Sequence, residues 1–199
     1  MRNIYICEEP SYQDGFYFLL NKGRLDMKIT LAQAINLLSS LHKKVNELQN
    51  EFFTVHIIEV PKGENYTPYE RTVEEVLQDL SDVQQDILSL KEIIQEANLN
   101  NHVEWDGRSI SMITAIETAK QLRYRLDLLK TLATTKKREY MVHHHSGAVM
   151  EQIALFDPSQ FKKQHDKLSR QVELLSSRID KVNYTIDIEV PLAHKYLEA

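Results

Sequence analysis

The residues best equipped for chemistry are three consecutive histidines, His143, His144 and His145, because neutral imidazole is a common ligand for zinc, copper or nickel. Their spacing restricts that role. On an extended strand His143 and His145 point to one face and His144 to the other, so at most two can share an ion without help from His56 or a carboxylate. The metal candidates are therefore His143, His145 and His56. The competing reading, which the spacing favours, is a solvent-exposed polar loop. The wider candidate binding site, for protein or ligand, comprises Tyr66, Tyr69, Tyr140, His143, His144 and His145.

Other reaction chemistry has little support. The sequence contains no H-E-x-x-H, C-x-x-C, Gly-x-Ser-x-Gly, phosphate loop or dinucleotide fingerprint. Di-iron sites in helical bundles need inward-facing Glu and Glu-x-x-His pairs, and the apolar seams carry neither. Cys7, the single cysteine, lies near the start of the chain and makes a poor nucleophile candidate. His165 falls on an apolar seam and reads as a packed residue. The expectation is a protein with no catalytic activity and no cofactor.

The elements that must position these residues are long helices. Val73, Val76, Leu80, Val83, Ile87, Leu90, Ile94 and Ala97 repeat at three- and four-residue spacings, a heptad seam. An earlier helix opens at Thr30-x-x-Gln33, a capping-box pattern, and runs through Leu31, Ala34, Leu38, Leu41, Val45, Leu48 and Phe52. A third uses Met112, Ala115, Ala119, Leu122, Leu126, Leu129 and Ala133, widened by Ile113 and Ile116. A fourth starts at Asp157-Pro158-x-Gln160 and continues through Phe161, Leu168, Val172, Leu175, Ile179 and Val182. The fold class expected is all-α: an antiparallel four-helix bundle with a small β cap formed by the two long connectors.

The connectors, residues 54–70 and 139–156, contain the strand-like runs Val55–Val60 and Ala148–Phe156. An exposed β edge there offers subunits a way to pair. Tyr184, Ile186, Ile188 and Val190 alternate with polar residues and read as a further strand at the opposite end, unless the fourth helix runs on through them. Charge suggests a register. Glu74, Glu75, Asp79, Asp82 and Asp86 crowd the first half of the second helix, and Lys120, Arg123, Arg125, Lys130, Lys136, Lys137 and Arg138 the second half of the third, so a hairpin of the two would set them face to face.

At 199 residues with a net charge of −5, the chain fits one domain with no general attraction to nucleic acid. No run approaches the ~20 apolar residues of a spanning helix, and the lone cysteine suits a reducing compartment, so a cytoplasmic address is expected. Residues 27–190 form the helical domain and 191–199 a C-terminal tail. Residues 1–26 read either as an upstream extension, because Lys22-Gly23 can be encoded by a ribosome-binding sequence just before Met27, or as a short hairpin packed on the bundle end.

Met27 to about Val190 resembles the small, mostly uncharacterised bacterial proteins called septicolysins. The resemblance rests on Leu31-Ala32-Gln33-Ala34, Ile94-Gln95-x-x-Asn98, Asp106-Gly107-x-Ser109-Ile110 and Ile179-x-x-Val182-Asn183-Tyr184, all at helix ends. The chain departs from that pattern at Ala119-Lys120, where an Arg-Asp pair is usual, and at His144-His145-Ser146. The family name implies a cytolysin. The most apolar loose stretch, Phe52–Val60, is short and holds His56 and Glu59, so a membrane target is the weaker expectation. The stronger is a homo-oligomeric, coiled-coil-like protein that binds an unknown protein partner, with metal binding at the histidines as a further alternative.

Overall fold

A computed structural model describes residues 27–142 and 149–197. It is mostly helical, with small antiparallel sheets. In chain order the elements are β1 (Lys28–Thr30), α1 (Leu31–Val55), α2 (Val73–Asn100), β2 (His102–Trp105), β3 (Arg108–Ser111), α3 (Met112–Thr134), β4 (Arg138–Val142), β5 (Val149–Ile153), α4 (Pro158–Thr185), β6 (Asp187–Glu189) and α5 (Ala193–Leu197).

Helix starts follow from local chemistry. Gln33 N–H donates to Thr30 Oγ1 at 3.1 Å and Thr30 N–H to Gln33 Oε1 at 2.8 Å, closing the capping box that begins α1. Thr72 and Glu75 make the same reciprocal pair at α2, with 3.2 and 2.9 Å bonds. At α4, Pro158 sits in the first turn and Asp157 caps the helix by accepting from Ser159 N–H at 3.0 Å.

The seams then pair the helices two by two. Leu31, Ala34, Leu37, Leu41 and Leu48 of α1 bury against Val76, Val83, Ile87, Leu90, Ile94 and Ala97 of α2. Met112, Ala115 and Ala119 of α3 bury with Leu175 and Ile179 of α4, and Leu129 with Leu168 and Val172 further along. Each pair thus has its own core. Ile113 and Ile116, expected to widen the α3 seam, are exposed.

The pairs join at one end. β1 runs antiparallel to β6 in the register Lys28↔Glu189, Ile29↔Ile188 and Thr30↔Asp187, and Leu31 N–H donates to Ile186 O at 2.9 Å. There α4 stops at Thr185 and the alternating segment after it becomes a strand. β2 and β3 form a hairpin between α2 and α3, turning at Asp106 (φ 50°) and Gly107 (φ 71°), the left-handed pair that suits a type I′ turn. Val103 is buried and Trp105 packs on the α3–α4 core. The C-terminal segment returns to α1 and α2, with Val190 and Ala193 fully buried.

One part of the expected β cap requires correction. β4 and β5 pair within the second connector, but the first contributes no strand. Val55 completes the last turn of α1, and residues 56–72 lack regular structure. Ile57, Ile58 and Val60 are exposed with no strand edge opposite them, and Pro61 and Pro68 supply no N–H to a ladder.

Candidate functional site

Two regions have the shape or chemistry of a site. The first is the β4–β5 hairpin at the outer end of α3 and α4. Its register, Arg138↔Ile153, Tyr140↔Glu151 and Val142↔Val149, puts Arg138 and Glu151 on one face, where they form a 3.1 Å ion pair. Lys137 ties its base down, donating to Ala154 O at 3.1 Å and Phe156 O at 2.8 Å. Beyond that base the hairpin stands clear of the helices. Tyr140 is 71% exposed and Val149 67%, and Met141, Met150 and Ile153 are exposed too.

The sequence-derived site residues do not converge among the described residues. Tyr140 lies on β4, whereas Tyr66 and Tyr69 are exposed in the irregular α1–α2 connector. His56 ends α1, where its ring stacks on Phe52 with centroids 5.5 Å apart and its Nδ1 lies 3.0 Å from Phe53 O. That contact occupies one ring nitrogen. His143, His144 and His145 lie outside the described residues. No hydrogen bond, ion pair or ring contact joins the two connectors, and no group of three or more metal-ligating side chains occurs, among the described residues.

The second region escaped sequence reasoning. α1, α2 and α5 enclose a groove of about 620 Å³ with Leu37, Leu41, Leu48 and Val83 on its floor and Lys44, Glu47, Asp79 and Asp82 on its rim. Volume and apolar lining are those of a small-molecule or side-chain pocket. α5 closes one end through a clasp: Asp86 accepts from Lys195 Nζ at 2.7 Å and from Tyr196 Oη. At the other end Arg71 bridges the two helices, binding Glu51 through 2.9 and 2.8 Å bonds and also Asp79.

The electrostatics of the clasp favour holding over reacting. The Asp86 hydrogen bond raises the Lys195 pKa, keeping the ammonium protonated. Burial, then the bond to Asp86, raises the Tyr196 phenol. A nucleophilic lysine or a phenolate base needs the opposite shift. At the base of α4, two hydrogen bonds from Ser159 hold the Asp157 carboxyl below the usual range, with Lys137 and Lys163 adding to the effect. The clasp joins residues 109 and 110 positions apart, a separation at which neither composition nor periodicity carries a signal.

The charged faces also lie differently from the expected register. The acidic half of α2 packs beside α1 and the basic half of α3 beside α4, so they belong to different pairs. None of the ion pairs among the described residues runs from α2 to α3.

Among solved structures, the chain is similar to a functionally unknown conserved protein from Corynebacterium diphtheriae, at a TM-score of 0.65 and 17% identity over 82% of this chain and 100% of that one. At that identity the likeness shows the fold alone. No curated protein matches the chain. Among the described residues no helix is long and apolar enough to cross a membrane. A family model matches residues 38–188, from the middle of α1 to β6, and the chain therefore belongs to DUF6847, a family of unknown function.

Proposed function

We propose that this protein acts by binding and self-association rather than by catalysis, as a cytoplasmic homo-oligomer whose helices complete a coiled-coil-like, four-helix arrangement when copies meet. The observation that carries this reading is the β4–β5 hairpin. A two-stranded ribbon is marginal in water unless a third strand or a packed face supports it, and this one exposes Tyr140, Met141, Val149, Met150 and Ile153 with no helix against them. Both its edges also offer unpaired backbone groups for strand addition. In this reading the hairpin is the β cap, and Tyr140 with the adjacent His143, His144 and His145 is the surface that meets another protein; Tyr66 and Tyr69 flank a separate contact. The pKa directions at the clasp support a structural rather than a catalytic role there.

Native mass spectrometry of untagged protein tests this. A discrete assembly that weakens when Tyr140 and Met141 are both replaced by serine is the expected result. A chain that stays monomeric to the highest concentrations measured would overturn it. The exposed Tyr140, Met141, Val149, Met150 and Ile153 also favour one second reading, insertion into lipid as the septicolysin resemblance implies. That reading requires dye release from liposomes, lost in the same double variant. A stoichiometric metal in the spectrum, absent after His143 and His145 are replaced, would instead make these histidines a metal site.

A further inference from the structure

The two helix pairs carry opposite charge. Residues 31–100 hold twelve aspartates and glutamates against five lysines and arginines, while residues 101–185 hold ten against fourteen. The excess collects toward the connector ends: Glu74 and Asp82 are exposed in the first half of α2, and Arg125 and Lys130 in the second half of α3, with Lys120 exposed before them. No ion pair among the described residues links one helix pair to the other. The complementary surfaces within one molecule are therefore not used on each other.

Both surfaces also combine charge with apolar side chains. The acidic pair presents the 620 Å³ groove, rimmed by Glu47, Asp79 and Asp82 with Lys44 beside Glu47. The basic pair presents a hollow of about 260 Å³, in which Arg125 and Lys167 flank Leu129 and Leu168. The helices are also of comparable length, 28 residues for α2 and 23 for α3, or about 42 and 35 Å.

We infer that the acidic α1–α2 pair of one copy docks against the basic α3–α4 pair of a second copy, and reciprocally, about a two-fold axis. This rests on the self-association proposed above and names its surfaces. Two-fold symmetry uses each contact twice and closes the assembly. A nucleic acid or an anionic membrane would also attract the basic face, but neither would engage the acidic groove, whereas a second copy satisfies both. Opposed charge of this kind sets partner choice and association rate more than it sets final affinity.

The test uses two full-length variants altered only at exposed side chains: Glu74→Lys with Asp82→Lys, and Lys120→Glu with Arg125→Glu. Circular dichroism verifies that each folds, and sedimentation velocity reads the assembly. Each variant alone is expected to self-associate at least about tenfold more weakly than the natural chain, because the first lowers the net charge of the acidic pair from −7 to −3 and the second brings that of the basic pair from +4 to 0. A one-to-one mixture is expected to form mixed dimers, since the lysines introduced in one variant then face the glutamates introduced in the other, and the unaltered surfaces face each other as in the natural chain. Raising the salt from 0.05 to 0.5 M is expected to weaken the natural assembly by about the same factor. A natural assembly indifferent to salt and to both variants would overturn this interface and leave self-association standing. A monomeric natural chain would remove both. Loss of binding to an oligonucleotide or to anionic vesicles in the basic-face variant, with assembly unchanged, would also overturn it and assign that face to the other ligand.

Discussion

Replacing Asp86 by asparagine opens the clasp that holds α5 over the α1–α2 groove. The Asp86 side chain is 23% exposed and accepts from two donors, Lys195 Nζ at 2.7 Å and Tyr196 Oη. Lys195 is itself about half exposed, so its charge-assisted bond belongs near the low end of the range, about 0.5–1 kcal/mol. The part-buried phenol bond adds about 0.5–1.5 kcal/mol. Asparagine keeps an acceptor for Tyr196, so Asp86→Asn should cost about 1 kcal/mol and Asp86→Ala about 2. Urea unfolding at pH 7, followed by circular dichroism, measures both. The folded-state pKa of Lys195 and of Tyr196 is raised, so their contribution is complete below the ordinary pKa values and fades as the pH climbs above about 10 through the folded-state values. The gap between the natural chain and Asp86→Asn should therefore narrow in that window. Equal stability at pH 7, within about 0.3 kcal/mol, would show that α5 is held by Val190 and Ala193 burial alone and would refute the clasp.

Three further expectations come from the same geometry. Leu90 and Leu175 are both fully buried but in different cores, so each leucine-to-alanine change should cost about 2–5 kcal/mol, with hydrogen exchange rising mainly in the affected helix pair. Gly107→Ala places an L-residue at φ 71° in the β2–β3 turn; an added Cβ meets nothing within 4 Å, so the cost is backbone conformation alone, about 1 kcal/mol and a fall of about 2–4 °C in Tm. The Asp157 carboxyl has a lowered pKa in the folded state, so its support for the α4 N-terminus is present above the ordinary carboxylate range and lost as the pH falls through the folded value. Asp157→Asn should remove that acid-side dependence, as read by the amide exchange of Ser159 and Gln160 between pH 5 and about 2.

Helices, caps and seam residues were legible in the sequence because their causes are local. Thr30 and Gln33 meet across one turn, and Val76, Val83, Ile87, Leu90, Ile94 and Ala97 fall on one stripe whatever lies opposite. The β4–β5 hairpin was half visible, in its second strand. The first connector misled because Val55–Val60 has strand-forming side chains, yet a strand exists only where another edge supplies its hydrogen bonds.

What the sequence by itself determined is thus the four long helices and the side of each that turns inward, since helical periodicity depends on neighbours three and four residues away. Only the tertiary structure decided which helices share a core, that the acidic and basic halves of α2 and α3 lie in different pairs, and that Asp86 meets Lys195 and Tyr196. An apolar stripe is complementary to any other apolar stripe, and an acidic face to any basic one. The choice among such partners depends on chain connectivity and on the β1–β6 and β2–β3 ladders that join the pairs, and these form between segments that local pattern does not relate.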